Sequence, residues 1–482
     1  MEVYSIRMYV YYMTKKKHPI WAIKYREPGK ELRLLNGRYY LYEISSRYDP
    51  ERKRSVKVTG KLLGRITKDD GFIESEKRKL AHVKEVSHYE YGVSQFILNQ
   101  SVYLKRLEQH FPDDWKAIVL AAYARLARQA PIKRMGDYTN RSWLSKELGV
   151  QLSTKGIPVL LQKIGGHQTA RTGYLTSFVS KQDYLLIDCT DIKTSASDST
   201  LSKAGYSSDM SWGQQSSLLY LYSRNLQQPV YYRLLPGNIR DVKAFSLSLK
   251  EAQIQDATII ADKGFFSEDN IAQLMGDNLS FVIPLKRSHS LVDYKGLGAN
   301  KDYFKRLNSY VWFKKTKSDR GFYVYLFLNT DLKVQEEKDY LSRIESHPDE
   351  YSYDEFEQKS GTFGTLAIAS NLDCEPTQIY ELYKTRLDIE QTFDTLKHIL
   401  KADSPYMHND NALQGWMFIN HIALQWCYEI SSQIKSKKLS AKISIKDAIE
   451  RLFEVRKIKI NDAWYSAEKT KNEDRIATLL LG

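Results

Sequence analysis

Two short segments of the chain are continuously apolar, YLLI at 184–187 and ATIIA at 257–261, and each is followed at once by an aspartate, Asp188 and Asp262. Aliphatic runs of this length mark strands buried on both faces, and a carboxylate just past such a strand lies at the rim of a sheet. Between them, SLLYLYS and PVYYRLL, separated by RNLQQ, read as a hairpin, and DVKAFSLSLKEAQI has the spacing of an amphipathic helix. The predicted order is strand with Asp, hairpin, helix, strand with Asp. Further on, FVIPLKR, YVWFKKTK and RGFYVYLFLN alternate aromatic with polar positions and predict a β-rich segment. The acidic, Tyr-rich stretch from about Glu336 to Ser360 reads as a solvated helix and loop, and GWMFINHIALQW as an apolar helix.

The flanks differ from this centre. RYYLYEISSRYDPERKRSVKVTGKLLGRI interleaves charges with Tyr and aliphatic residues and reads as a hairpin turning at Tyr48, Asp49 and Pro50. From about Glu85 to Leu148 the pattern becomes helical, and the tail after Ser431 reads as helical and basic. The predicted organisation is a basic β-rich unit at 1–80, a helical region at 81–175, an α/β core at 176–430 with a β-rich insertion at about 280–365, and a helical tail at 431–482. No recognition helix stands out in the helical region.

Charge sharpens this division. The net charge of +14 is concentrated at the N-terminus, where residues 1–68 contain 17 Lys plus Arg against 6 Asp plus Glu, an excess of +11. Phosphate neutralisation supplies most non-specific affinity for DNA, so a small basic β unit suits a DNA clamp, with Arg47, Arg52, Lys53, Arg54, Lys57 and Lys61 as contacts. An ordinary solvated basic sheet face would look the same. Arg125, Arg128, Lys133 and Arg134 are further DNA-contact candidates in the helical region.

The most informative spacing lies in YKTRLDIEQTFDTLK, where Tyr383, Arg386, Glu390 and Lys397 fall at offsets of three, seven and fourteen. At roughly 100° per residue these return to one helix face. Arg and Lys on that face suit phosphate oxygens, and Glu suits a divalent metal. A solvated stripe held by i,i+4 pairs is the alternative. The pattern resembles the signature of bacterial insertion-sequence transposases of the DDE superfamily, in the group named for its Tyr-Arg-Glu-Lys motif. The blocks YLLIDCTDI and ATIIADKGFF, the segment LPGNIRD at 235–241 and GYSSD at 205–209 are similar to further blocks of that group. The resemblance spans at least Tyr184 to Lys397.

It implies a ribonuclease H-like, retroviral integrase-like α/β catalytic core, with Asp188, Asp262 and Glu390 as the catalytic, metal-binding acids. Phosphodiester cleavage without a covalent intermediate calls for metals that activate the nucleophile and stabilise the leaving oxygen, and hard oxygen ligands select Mg²⁺, with Mn²⁺ as a substitute. Asp188 is read as the bridging ligand, Asp262 as a ligand to one metal and Glu390 to the other. Asp191 and Asp394 remain alternative acids, whereas His167, His289 and His408 lack ligand-like spacing. The resemblance further implies cut-and-paste excision and insertion, often through a hairpin intermediate. Tyr383, Arg386 and Lys397 would hold backbone phosphates of the element's end. Glu390 lies 128 positions after Asp262, far more than one helix and strand need, and the surplus would form an insertion carrying a stacking aromatic. Trp312, flanked by Lys314 and Lys315, fits that role, although a Trp in a strand can equally be core.

The implied partner is double-stranded DNA, both the element's terminal inverted repeats and its target, held by a homodimer on paired ends. A nuclease of the same fold, or a DNA-binding protein derived from such an enzyme, are the alternatives; intact acids at all three positions favour the enzyme. Cys189, Cys374 and Cys427 lack metal-like spacing and fit a reducing bacterial cytosol. No apolar run approaches the roughly 18 residues of a membrane span, and MEVYSIRMYVYYM is too polar for a signal peptide, so no membrane partner is expected.

Overall fold

The computed structural model describes residues 18–81, 83, 85–194, 199–206, 212–238, 241–298, 302–403, 405 and 407–482. The chain forms two compact units, one of residues 1–88 with Lys457–Ser466, the other of Tyr89–Arg456 with Ala467–Gly482.

In the first unit, β1 (Lys30–Leu35), β2 (Arg38–Asp49), β3 (Arg54–Thr67) and β4 (Gly71–Glu74) form an antiparallel sheet in chain order. Alternation of Leu32, Leu41, Leu63 and Ile66 with polar residues buries one face around Ala22, with Trp21, Tyr25, Tyr39 and Phe72 packed at its edge. β5 (Val86–Glu90) takes part in a separate three-stranded sheet described below.

The second unit is built on one mixed sheet. β6 (Tyr184–Lys193), β7 (Lys203–Tyr206), β8 (Trp212–Ser223) and β9 (Gln228–Pro236) come first. β6 pairs antiparallel with β8, and β8 with β9. After the helix Asp241–Glu251, β10 (Thr258–Ala261) returns parallel to β6, and after the helix Glu268–Gly276, β11 (Ser280–Leu285) lies parallel to β10. Successive segments therefore give the order β9-β8-β6-β10-β11, with β7 also on β8. β12 (Tyr303–Arg306), β13 (Ser309–Lys317), β14 (Tyr323–Asn329) and β15 (Thr365–Ser370) extend the same sheet antiparallel beyond β11. The β-rich segment is thus a continuation of the core sheet. It also contains two largely exposed helices, Thr330–Ser346 and Tyr353–Ser360, where the acidic stretch was expected to be solvated.

The helices at 92–176 belong to this same unit. They pack around Asp410–Ser436, a helix apolar on nearly every side and therefore enclosed. Its crossing with Gly156–Gly166 is so close that a Cβ on Gly165 would lie 1.7 Å from the Asn411 carbonyl oxygen, and one on Gly415 2.0 Å from that of Leu161. Only glycine permits this reciprocal backbone approach.

The tail departs from a purely helical reading. After the helix Ile445–Glu454 come β16 (Arg456–Ile460) and β17 (Ala463–Ser466), which pair as a hairpin and join β5 in the order β17-β16-β5, before a last helix, Lys471–Leu481. RKIKI alternates charge with isoleucine at period two, which is a strand pattern. No helix among the described residues is long and apolar enough to cross a membrane.

Candidate active site

Parallel pairing of β10 with β6 matches Ala261 to Ile187. One step further, Asp262 follows Asp188 level across the sheet, and both share the strand face opposite Ile187 and Ala261. The two strands end differently. β10 stops before Asp262, whose backbone is extended (φ −79°, ψ 167°) and leads into a single turn of 3₁₀ helix. β6 does not stop at Asp188, contrary to the reading of a strand ending there, because Cys189–Lys193 continue pairing with Gln215–Leu219 of β8. Asp188 is therefore a mid-strand residue. Period-two alternation turns Asp191 to the other face, where its Oδ1 accepts from Ser217 Oγ at 3.4 Å.

The signature segment is helical but interrupted. Tyr383 lies in the helix Pro376–Lys384, Arg386 in the break, Glu390 in the helix Leu387–Asp394, and Lys397 in a wide π-type turn, Thr395–Ile399. Buried Ile389, Phe393 and Leu396, at three-to-four spacing, anchor this segment, and the helix Leu387–Asp394 packs on β6 and β8. That anchoring turns Arg386 and Glu390 toward Asp188. Arg386 Nη1 donates to Asp188 Oδ2 at 3.3 Å, and its Nη2 donates to Glu390 Oε1 at 2.6 Å. Cys189 N donates to the other oxygen, Asp188 Oδ1, at 2.8 Å.

Burial works against the charge on Arg386, but Tyr383, Asp262, Asp188 and Glu390 outweigh it and raise its pKa. Tyr383 is itself pushed up, chiefly by burial, and feels Arg386, Asp262 and Glu390. Five of the residues singled out by sequence therefore meet: Asp188, Asp262, Tyr383, Arg386 and Glu390. Lys397 does not join them; no hydrogen bond or ion pair links it to the other three signature residues among the described residues. A straight helix would have kept the four aligned, and both the break and the wide turn change the phase. Asp394 is 76% exposed and sits 3.9 Å from His398.

The donor set of this cluster is wholly carboxylate, which fits a hard divalent cation. As they stand, no three acidic, imidazole or thiol groups among the described residues converge closely enough to hold a metal, and the Arg386 guanidinium occupies the space between Asp188 and Glu390.

Trp312 lies on β13, half-buried, opposite Tyr303 of β12, with ring centroids 5.2 Å apart. Tyr310 shares that face of β13 and contacts the Tyr303 ring at 5.8 Å. Tyr303 and Tyr310 are 49% and 48% exposed, so the three rings form an accessible aromatic face. Sequence reasoning singled out neither tyrosine: Tyr303 opens YFKR, a strand too short to stand out, and Tyr310 opens the strand-like run YVWFKKTK, in which only Trp312 was picked. Lys314 is held by Asp293 at 2.6 Å and Lys315 by Asp373, so neither flanking lysine is unpaired.

Arg125 requires a correction. It is 2% exposed, and its guanidinium donates to Asn420 Oδ1 and to the carbonyl oxygens of Gln129, Ala130, Leu400 and Lys401 over the face of Trp416, leaving nothing for DNA. Arg128, Lys133 and Arg134 are exposed. The basic residues Arg47, Arg52, Lys53, Arg54, Lys57 and Lys61 all fall on or between β2 and β3 of the first unit. Residues 1–17, 207–209 of GYSSD and 239–240 of LPGNIRD lie outside the described residues.

The α/β sheet thus sets Asp188 of β6 level with Asp262 just past β10, with Arg386 at the helix break and Glu390 on the helix beyond it completing an acidic cluster. The chain belongs to the transposase DDE domain family, whose model matches residues 180–426, just over half of its length. That membership implies a DNA-cleaving, strand-transferring enzyme. Among solved structures the chain is similar to that of piggyBac transposase in a synaptic complex with hairpin DNA, at 12% identity over 73% of this chain and 70% of that one, with a TM-score of 0.38. No curated protein matches.

Proposed function

We propose that this protein is a cut-and-paste DDE transposase of the Tyr-Arg-Glu-Lys group, cleaving the ends of a bacterial insertion sequence and joining them to target DNA. The observation that carries this reading is the Arg386 bridge between Asp188 and Glu390 beside Asp262, inside the family-matched region. The strand order β9-β8-β6-β10-β11, antiparallel through the first three segments and parallel in the last two, supports a ribonuclease H-like core.

In this reading Asp188, Asp262 and Glu390 are the residues that would hold Mg²⁺ or Mn²⁺, and Arg386, now between Asp188 and Glu390, would turn to phosphate oxygens. Bound there, divalent cations neutralise phosphate charge and lower the pKa of water. The chain's own residues do the rest. Arg386 and Tyr383 grip the backbone at the cleavage point, Lys397 holds a phosphate farther along, and Trp312 stacks on an unpaired base with Tyr303 and Tyr310 beside it. Water attacks the phosphodiester at the element's end and releases a 3′ hydroxyl, which then attacks a target phosphodiester in the same site. The basic N-terminal strands hold flanking duplex, two protomers pair the two ends, and the protein works in the cytosol.

The test is to incubate the protein with DNA carrying the ends that flank its own gene, with Mn²⁺ or Mg²⁺. Nicking followed by joined products supports the reading. Cutting without joining identifies a nuclease, and tight binding with neither reaction identifies a DNA-binding derivative.

A further inference from the structure

The β2–β3 hairpin outruns the sheet that carries it. β1 pairs only with Arg38–Glu43, and β4 only with Gly64–Thr67, so among the described residues Ile44–Asp49 and Arg54–Thr59 pair as strands only with each other. Six residues per strand span roughly 20 Å, and the two strands lie about 4.8 Å apart. The ribbon is exposed along nearly its whole length, where a core strand would bury one face.

Its root is tied to β1, with Lys57 bonded to Glu31 and Arg33 to Thr59. Its turn is pre-set, because Asp49 Oδ1 accepts from Glu51 N at 3.0 Å and Arg52 N at 3.2 Å. Asp49 thus spends its charge inside the turn. Residues 44–61 carry six Lys and Arg against two Asp and Glu, and among the described residues Arg47, Lys53, Arg54 and Lys61 have no acidic partner. Side chains at Arg47, Lys53 and Arg54 therefore present unpaired cations at the tip of a narrow, two-stranded, preorganised projection.

We propose that the Ile44–Thr59 ribbon enters the major groove of double-stranded DNA. That groove is about 12 Å wide and admits a two-stranded β-ribbon, and phosphates on both walls complement the tip cations. The inference rests on the DNA-acting reading above and adds which segment of the basic strands touches the duplex and which groove it enters. Glu51 and the solvent-exposed Tyr48 sit at the tip, where they can meet base edges.

The full-length protein would be tested without divalent metal, so that binding is read apart from cleavage. Fluorescence anisotropy with a duplex carrying the element's end is compared for wild type, R47A/K53A/R54A, and a variant in which Ser45–Val58 is replaced by Asn-Gly, closing the hairpin at the Ile44–Thr59 pair. The triple variant should bind roughly 10- to 100-fold more weakly near physiological salt, with a log–log salt slope shallower by about 2 to 3, since each lost phosphate contact removes about 0.9. Guanine N7 protection from dimethyl sulfate, a major-groove readout, should appear with wild type and vanish with either variant. Unchanged affinity and slope in the triple variant, or wild-type binding with no N7 protection, overturns the proposal. So does a change of oligomeric state in the shortened variant with DNA binding intact, because a second copy would then be the occupant. If the shortened variant does not fold, the triple variant decides, as it changes only exposed side chains. Absence of strand transfer with ribbon-dependent binding retained would sink the transposase reading and leave this one standing.

Discussion

Arg386 joins a β-strand acid to a helical one: its guanidinium lies 3.3 Å from Asp188 Oδ2 and 2.6 Å from Glu390 Oε1. Its positive charge sits between the two carboxylates. Replacing it with Met leaves like charges facing one another. R386M should lower metal-free stability by about 1 to 3 kcal/mol, and Mn²⁺ should raise its melting temperature more than that of wild type. Thermal denaturation with and without Mn²⁺ checks this; equal melting curves for the two metal-free proteins would show that the bridge carries no stability.

Arg125 anchors the end of the signature segment to the enclosing helices through the Leu400 and Lys401 carbonyls. R125M should cost about 3 to 5 kcal/mol, because it strips donors from buried carbonyls. R125K should recover little of it, since one ammonium cannot reproduce a planar fork of five donors. Chemical denaturation of both variants is the measurement, and a Lys variant as stable as wild type would contradict the assignment.

Glu90 is buried, and burial raises its carboxyl pKa to about 7, against the opposing effect of hydrogen bonds from Ser94, Tyr123 and the Val93 amide. The unfolded carboxyl titrates near 4.5. Between these values the folded protein binds the extra proton, so stability falls as pH rises from about 4.5 to about 7 and is level beyond. Melting temperatures across that window should show the decline in wild type and a flatter profile in E90Q. Parallel profiles would mean that Glu90 does not supply the slope.

Trp312, with Tyr303 and Tyr310, offers a stacking face. W312A should weaken binding to an end bearing one unpaired base by about 1 to 3 kcal/mol, with W312F close to wild type and fully paired duplex little affected. A 2-aminopurine at the unpaired position reports the stacking directly; identical quenching by W312A and wild type would return Trp312 to a packing role.

Much of the core was legible because burial on both faces leaves a strong signature: YLLI and ATIIA form β6 and β10, and SLLYLYS with PVYYRLL form the hairpin β8–β9. The continuation of β6 through Cys189–Lys193 was not, since a half-exposed strand paired to β8 needs no apolar run. Periodicity placed Tyr383, Arg386, Glu390 and Lys397 on one face but could not foresee the break at Arg386 or the wide turn that takes Lys397 out of the group, which tertiary packing sets. Charge alone misassigned Arg125, because sequence does not show which arginine will find a ring of carbonyls instead of solvent. The β-rich segment was recognised by alternation, while its merger with the core sheet depends on pairing between β15 and β11, 80-odd residues apart.

The central claim is that Asp188, Asp262 and Glu390 act as one chemical unit. Its most direct test is single-turnover cleavage and strand transfer by D188N, D262N and E390Q on the element's own ends in Mn²⁺, each variant first shown to bind those ends as wild type does. The account predicts that every one of the three loses at least about a thousandfold in rate, as groups that jointly stabilise one transition state do. Near-wild-type cleavage by any one of them would remove that residue from the unit and contradict the site described here.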